Sequence, residues 1–266
     1  MSQTNHRSTS RVLDVFDLLS NSQDGYTLTE ISQALDSPKS SMLPILQTLA
    51  ARNYLDLNYK NGRYTIGPSL YFVGSLFRKR ISVNKFIDME MHQLTTVIGE
   101  SSYMGVRKGS QTLFIHTVDC EKPVESKKKV GNLENGLTGA MGKALLCDLK
   151  LNELAKVISE DDIEMPDDSV NLYKVHVEME EIRVVNIAYE HGEIEGPIQA
   201  IASYIRCKGE IVAAIGVILP AFRVNPKTIS NAEKQLHIAV RKIENILMDT
   251  DEDISEIFSI GGFRNL

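Results

Sequence analysis

Apolar residues recur at helical spacing in three short segments near the start of the chain. The first segment begins at Ser10, the second is TLTEISQAL, and the third follows the turn DSPK. Their apolar positions are Val12, Val15, Phe16 and Leu19, then Leu28, Ile31 and Leu35, then Met42, Ile45, Leu46 and Leu49. Apolar residues at i, i+3, i+4 and i+7 predict helices that each bury one face.

The third predicted helix contains a proline. Ser37 is suited to cap this helix, and Pro38 is suited to its first position, where a missing amide hydrogen costs nothing. Pro44 lies on the side opposite the apolar residues, where it removes one hydrogen bond and crowds the Ser40 carbonyl, a defect of ~3 kcal/mol. The sequence therefore predicts a kink or a tightened first turn, and an outward face that has a use.

After this helix the sequence pattern changes from helical spacing of apolar residues to a pattern typical of strands. The segment YLDLNYKNGRYTIG places Asn61-Gly62 between two strand-like runs, which is a strong hairpin signal. Three helices followed by a hairpin predict a winged helix-turn-helix over residues 1–67. Residues 68–83 then predict a linker helix, with Pro68 at its start.

The remainder of the chain mixes both periods and predicts a second domain over residues 84–250. It reads as a helix, two paired strands, a glycine-rich helix entry, a helix over 172–185, three strands and a long C-terminal helix. The overall fold class is thus α+β, with an antiparallel sheet flanked by helices in the second domain. The acidic residues 251–266 predict a flexible tail, and residues 159–169 a surface loop.

Composition narrows the class of protein. No apolar run reaches the ~18 residues of a membrane span, and the polar start does not resemble a signal peptide, so we expect a cytoplasmic protein without a membrane partner. Three widely spaced cysteines argue against a disulfide framework. A net charge of −6, with six basic and six acidic residues before Pro68, gives no global attraction to nucleic acid.

Any contact with duplex DNA must then be local. The second helix of a helix-turn-helix inserts its outward face into the major groove, and the wing and N-terminal arm add phosphate contacts. The predicted DNA-contacting residues are Arg7, Arg11, Lys39, Ser40, Ser41, Leu43, Pro44, Gln47, Thr48, Lys60 and Arg63. The alternative is a winged helix that binds protein and acts as an adaptor.

Sites for catalysis, metals and nucleotides are poorly supported. In GLTGAMGK, five residues rather than four separate Gly136 from Gly142, and Ala144 stands where a phosphate loop needs a hydroxyl. The six histidines show no metal-ligand spacing, and we expect no cofactor. An enzyme would have to use Cys147 or His116, for which the sequence offers no partner set. The segment 125–130 is a solvated strand end or loop by default, with contact to a ligand or DNA as the alternative, and 189–196 is a solvated surface loop by default, with a pocket rim as the alternative.

These segments, taken in order, resemble the IclR family of bacterial transcriptional regulators. The likeness spans about residues 9–247 and is carried by SPKSSMLPILQTLAARNYLD, GRYTIG, GLTGAMGKALL, IEGPIQAIASYI and AAIGVILPAFRV. The resemblance implies a winged helix joined to a GAF-like effector domain, and a homodimeric or homotetrameric DNA-binding regulator, a repressor by expectation. It also implies a small-molecule effector at Ala140, Met141, Glu190, Ala200, Gly216 and Ile218. These positions carry few polar groups, so a larger or more apolar ligand, such as an aromatic acid, is expected over a small polar one.

Overall fold

The computed structural model describes residues 6–20, 22–78, 82–121, 128–160, 172–190, 198–259 and 261–263. The chain divides into two compact units, Met1–Ile81 and Ser82–Leu266. Among the described residues no helix is long and apolar enough to cross a membrane.

The first unit is a three-helix core with a small sheet. Its elements are α1 (Arg7–Ser20), β1 (Tyr26–Thr27), α2 (Leu28–Ala34), α3 (Lys39–Ala51), β2 (Leu55–Asn58), β3 (Arg63–Ile66) and α4 (Pro68–Arg78). The strands form an antiparallel sheet in the order β1-β3-β2. The predicted apolar faces meet in one core, where Val15, Ile31, Met42 and Leu46 are fully buried. This arrangement is the predicted winged helix-turn-helix, with β1 as an added strand.

The predicted start of the third helix was wrong. The third helix begins at Lys39 rather than Pro38, and the Ser37 hydroxyl donates to the Leu35 carbonyl at 3.1 Å instead of capping the helix. The predicted hairpin is present, and its turn extends beyond the Asn61-Gly62 pair. Asn58 pairs with Arg63, so four residues form the loop, and only its last residue, Gly62, has a positive φ, of 68°.

The second unit is built on a six-stranded antiparallel sheet in the order β6-β5-β4-β9-β8-β7. Its strands are β4 (Ser102–Lys108), β5 (Gln111–Val118), β6 (Leu133–Asn135), β7 (Ala188–Glu190), β8 (Ile198–Cys207) and β9 (Glu210–Pro220). Its helices are α5 (Val83–Ile98), α6 (Ala140–Leu146), α7 (Leu151–Glu160), α8 (Leu172–Val185), α9 (Pro226–Met248) and α10 (Ile254–Ile257). The α+β class with an antiparallel sheet is confirmed; α7 and β6 were not predicted.

The central strands are buried on both faces, because helices cover the sheet on each side. On β8, Ile201 and Ile205 pack with α5 and α9, whereas Ala202 and Tyr204 pack with α6 and α8. Alternate residues of a strand point to opposite faces, so the two clusters are separate layers. The sheet therefore separates two hydrophobic cores. One is formed with α5 and α9, and the other, formed with α6 and α8, contains a cavity.

The expectation of a flexible acidic tail was wrong for residues 251–259 and 261–263. Asp253 caps α10, and Ile257, Phe258 and Phe263 are buried in the core formed with α5 and α9. The Asn84 side chain donates to the Ile257 carbonyl at 2.7 Å. The predicted surface loop over 159–169 lies almost wholly outside the described residues.

Candidate DNA-binding surface and effector pocket

A capping box fixes the first helix of the helix-turn-helix. The Thr27 hydroxyl accepts from the Glu30 amide at 3.3 Å, and Glu30 Oε2 accepts from the Thr27 amide at 2.7 Å. These bonds lower the pKa of Glu30, since they stabilise its carboxylate form. Two otherwise unbonded amides at the start of α2 are thereby satisfied.

The outward face of α3 contains the residues predicted to contact DNA. Lys39, Ser40, Leu43, Pro44, Gln47 and Thr48 are exposed and Ser41 is half-buried. Met42, Leu46 and Leu49 are buried on the opposite side. Pro44 is inside the helix and exposed, and the Thr48 hydroxyl donates to its carbonyl at 2.7 Å. The helix thus presents a face that combines short polar groups with an apolar patch.

The basic residues predicted to contact DNA lie in different elements of the first unit. Arg7 and Arg11 belong to helix α1, so the expected N-terminal arm does not contain them. Lys60 is exposed in the turn between β2 and β3, as expected for a wing. The Arg63 guanidinium donates to the Gly25 carbonyl at 2.7 Å and to Glu30 at 3.1 Å. Arg63 therefore links β3 to the start of α2, a structural role that the sequence did not predict.

Sequence reasoning missed one exposed residue in the wing. Tyr59 is 91% exposed in the turn beside Lys60. Amide hydrogen bonds to the Asn58 and Asn61 side chains, at 3.0 and 3.1 Å, hold this turn in shape. The signal in the sequence was an aromatic residue beside the predicted hairpin turn. Large apolar residues are usually buried, so an aromatic ring at a turn indicates a contact with another molecule.

All six predicted effector positions line one cavity in the second unit. Ala140 and Met141 come from α6, Glu190 from β7, Ala200 from β8, and Gly216 and Ile218 from β9. Further lining residues are Tyr103, Phe114, Lys128, Glu134, Ile201, Ala202 and Val217. The structure therefore brings together residues that are distant in sequence, as a binding site requires.

The cavity is small. Its volume is about 20 Å³, which accommodates about one water molecule. Met141 fills the space over two glycines: a Cβ on Gly105 would lie 2.6 Å from its sulfur, and one on Gly216 would lie 3.3 Å from its methyl carbon. Methionine is flexible and polarisable, so it is suited to fill a pocket and to yield when a ligand enters.

The glycine-rich segment does not form a phosphate loop. Gly142 lies inside α6, and the Lys143 side chain is turned inward, with the residue 3% exposed. Lys143 Nζ donates to Glu178 at 3.0 Å and to the Tyr189 carbonyl at 3.2 Å. This lysine therefore connects α6 to α8 and β7 and is not directed at solvent.

Cys147 and His116 do not form a catalytic pair. Burial raises the pKa of Cys147 to about 12, and its thiol donates to the Ala144 carbonyl. Cys147 belongs to the core that contains α6, whereas His116 accepts or donates a 2.8 Å hydrogen bond with Asp88 of α5 and stacks on Phe263. Among the described residues no cluster of potential metal ligands was found.

The remaining loop predictions fall partly outside the described residues. Residues 125–127 and 191–197 are not described. Within these segments, Lys128 and Glu190 line the cavity, and the position of Glu190 agrees with the pocket-rim interpretation of 189–196.

A winged helix-turn-helix followed by a sheet domain with an internal cavity defines the class of ligand-responsive DNA-binding regulators. The family profiles agree: the IclR helix-turn-helix domain matches residues 8–58, and the bacterial transcriptional regulator IclR C-terminal domain matches residues 77–245. The chain belongs to the IclR family of transcriptional regulators, which is a family of regulators and not of enzymes.

Individual relatives are similar over almost the whole chain. The HTH-type transcriptional regulator BhcR of Paracoccus denitrificans (strain Pd 1222) is 27% identical over 240 residues, which is 89% of this chain and 86% of BhcR. The crystal structure of the Agobacterium tumefaciens repressor BlcR has a TM-score of 0.56 at 22% identity and covers 92% of this chain and 98% of its own. An IclR homologue from Microbacterium hydrocarbonoxydans, crystallised with 4-hydroxybenzoate, has a TM-score of 0.55 at 18% identity and covers 91% and 100%.

Proposed function

We propose that this regulator binds an operator duplex through the exposed face of α3 and the wing, and that a small molecule in the cavity controls this binding. The observation that supports the proposal most is the division of α3 into a buried apolar side and an exposed side with Ser40, Leu43 and Gln47. A helix with this division can enter the major groove without exposing its core.

The exposed side of α3 determines which bases it can recognise. Leu43 and Pro44 offer apolar contacts to thymine methyl groups, whereas Ser40, Ser41 and Gln47 offer hydrogen bonds to base edges. Thr48 is the weakest candidate for a base contact, because its hydroxyl already donates to the Pro44 carbonyl. We expect a preference for A·T pairs opposite Leu43 and Pro44.

Phosphate contacts come from few residues. Lys39 and Lys60 are exposed, Arg7 and Arg11 extend from α1, and Arg63 is partly occupied by Glu30. Because affinity depends on phosphate neutralisation, a single copy, whose residues 1–67 carry six basic and six acidic residues, would bind weakly. A homodimer or homotetramer doubles or quadruples these contacts. The exposed Tyr71, Phe72 and Val73 on α4 support self-association through this helix.

The effector proposed for the cavity has an apolar body. The wall is formed largely by alanine, isoleucine, valine and aromatic side chains, which pair poorly with a small, highly polar ligand. The 4-hydroxybenzoate bound by the Microbacterium homologue supports an aromatic acid. Binding would shift the regulator between conformations with different operator affinity. We propose repression as the direction of control, supported by the repressor BlcR among the structural relatives.

Selection of bound sequences from random duplex DNA, at two salt concentrations, tests the function. A palindromic consensus is the expected result, with weaker binding at higher salt. The variants Gln47→Ala and Pro44→Arg should each alter the preferred bases, whereas Gln93→Ala, an exposed glutamine on α5, should leave the consensus unchanged. Unchanged preference in both α3 variants would refute the assignment of bases to this helix.

Failure of the selection would support a different function. If no sequence is enriched at either salt concentration, the exposed face of α3 is better explained as the docking face of a protein adaptor. The equal numbers of basic and acidic residues within residues 1–67 are the observation that favours this alternative.

A further inference from the structure

The Arg63 side chain joins the wing to the helix-turn-helix. Arg63 is the first residue of β3, directly after the wing turn, and it pairs with Thr27 in the short β1–β3 ladder. Its guanidinium donates to the Gly25 carbonyl at 2.7 Å and to Glu30 Oε1 at 3.1 Å. The loop before β1, the first turn of α2 and the wing therefore meet at one side chain.

The backbone contacts of Gly25 and Thr27 make this junction compact. Gly25 is buried with a positive φ of 68°, and a Cβ there would lie 2.2 Å from the Tyr64 carbonyl oxygen, so the two backbones approach closely. Thr27 is both a residue of the ladder and the N-cap of α2. The two carboxylate oxygens of Glu30 have different partners: Oε2 accepts from the Thr27 amide and Oε1 accepts from Arg63. The direction of the wing and the start of α2 thus depend on the same carboxylate.

The positive charge of Arg63 is balanced where it lies. Arg63 and Glu30 form a hydrogen-bonded ion pair, and their side chains are 33% and 41% exposed. A phosphate that approached the Arg63 guanidinium would also meet the Glu30 carboxylate, which repels it. Lys60, by contrast, is exposed in the wing turn. Arg63 is therefore poorly suited to neutralise a phosphate, although a basic residue in a wing predicts such a contact.

We propose that Arg63, held by Glu30, fixes the wing in the direction in which it contacts DNA before the operator binds, and does not itself neutralise a phosphate. This inference rests on the proposed function and specifies how the wing contributes to it. A wing that is already fixed loses little conformational freedom on binding, so more of the contact energy appears as affinity. Without the ion pair the same phosphate contacts form, but the wing has to be ordered at the moment of binding.

Operator binding by the full chain at several salt concentrations tests this role. The probe is a fluorescent duplex with the sequence enriched by selection from random DNA, and the readout is fluorescence anisotropy. Arg63→Gln should weaken binding about fivefold or more, while the slope of log affinity against log salt concentration stays unchanged. Lys60→Gln is the control, and it should reduce the magnitude of this slope by about 0.9 for each bound copy, as a lost phosphate contact does. A reduction of that size in Arg63→Gln, or unchanged affinity, would overturn the proposal.

Glu30→Gln distinguishes the two roles of Arg63 by the sign of its effect. Glutamine also serves in a capping box, so the cap of α2 is retained while the charged bond to Arg63 is lost. A positioning pair predicts weaker operator binding. A phosphate contact predicts stronger binding, because Arg63 is released and a negative charge is removed, and that result would overturn the proposal. Asp56→Asn, which removes an exposed carboxylate from β2, is the matched control for charge alone and should not weaken binding. Glu30→Gln also decides the matter if Arg63→Gln does not fold.

The double variant shows whether the two residues act as one unit. Glu30→Gln combined with Arg63→Gln should bind the duplex within about twofold of the weaker single variant, because one ion pair can be broken only once. If the two single effects multiply instead, Arg63 and Glu30 act independently and the proposal is wrong.

Titration at a duplex concentration far above the Kd separates positioning from a general loss of stability. Each variant should bind in the same number of copies per duplex as the unaltered protein. Loss of stability alone would lower the proportion of protein that binds and leave the affinity of the folded remainder unchanged, which would contradict the proposal. Operator binding with a reduced slope in Arg63→Gln refutes only the role of Arg63. If the unaltered protein enriches no duplex sequence, the proposed function fails, and this inference fails with it.

Discussion

The backbones of Gly136 and Gly142 lie in direct contact: a Cβ added to Gly142 would be 2.2 Å from the Cα of Gly136. A Cβ on Gly136 would itself be 2.3 Å from the Ser110 carbonyl oxygen. The glycines of this segment therefore allow α6 to pack closely against the chain that precedes it. This packing, and not the binding of phosphate, explains the glycine-rich pattern.

Gly142→Ala should destabilise the second unit by about 3 kcal/mol or more, because neither backbone can move away without disturbing α6. Hydrogen exchange of the α6 amides measures this loss locally. Gly74→Ala in α4, where a Cβ would meet nothing within 4 Å, is the control and should stabilise its helix by ~0.5–1 kcal/mol. Equal effects of the two substitutions would contradict this explanation.

Pro44→Ala should stabilise the first unit by about 2 kcal/mol. The helix regains the hydrogen bond lost at a proline, worth ~3 kcal/mol, while the unfolded chain gains up to ~1 kcal/mol of conformational freedom. Chemical unfolding followed by signals from the first unit measures the difference. Gln47→Ala, also exposed on α3, should change stability by no more than about 0.5 kcal/mol. A destabilised Pro44→Ala protein would show that the helix relies on its proline.

Stability should fall as the pH is lowered through the range below about 6.5. Burial lowers the pKa of His116 in the folded state, although the hydrogen bond to Asp88 opposes this shift. The unfolded state then binds more protons, so the free energy of unfolding increases with pH between the folded and unfolded pKa values. His116→Gln should flatten this dependence in urea titrations at several pH values.

His92→Gln is the matched control for the pH experiment. His92 also faces Asp88, at 3.6 Å, but its side chain is 64% exposed. Its removal should leave most of the pH dependence in place. If His92→Gln flattens the curve as much as His116→Gln does, burial of His116 is not its cause.

Ile257→Ala should cost about 2–5 kcal/mol, as expected for a fully buried side chain and not for part of a tail. Calorimetric melting of the full chain measures the shift of the second unit. Met248→Ala, which alters a residue that is 72% exposed, should stay within about 0.5 kcal/mol. A silent Ile257→Ala would mean that the C-terminal segment does not contribute to the core.

The sequence predicted the helices and strands in which the spacing of apolar residues repeats several times. The apolar faces of α1 and α3, the long α9 and the paired β8 and β9 all follow from repeated spacing. The segment CKG between the last two predicted strands is typical of a hairpin turn, and Lys208 and Gly209 have the positive φ values, 52° and 91°, that a two-residue turn requires. The ends of elements were less predictable. The start of α3, for example, depends on whether the Ser37 hydroxyl bonds to the amides of the helix or to the Leu35 carbonyl.

The C-terminal segment shows why local composition misled. Its acidic residues indicate solvent exposure, but its apolar residues fill a gap beside α5 that only the folded chain creates. The three residues of β6 are likewise too few for a recognisable period. Such elements are determined by distant contacts and not by their own sequence.

The cavity contains some residues that could be predicted from the sequence and others that could not. Its six predicted residues followed from the family resemblance, since spacing alone cannot bring α6, β7, β8 and β9 together. Lys128 belongs to a basic run for which solvation was the default expectation, and Glu134 to a segment in which no strand was predicted, yet both line the cavity. Lys128 and Glu134 form an ion pair six positions apart, a spacing that follows no regular period of a helix or strand.

The two outermost strands of the large sheet, β6 and β7, contain three residues each, while β8 and β9 in its interior contain ten and eleven. An outer strand of this length offers few free amides and carbonyls to a strand from another molecule. The domain can therefore be abundant without recruiting its copies into cross-strand aggregates, and its association is left to surfaces made of side chains.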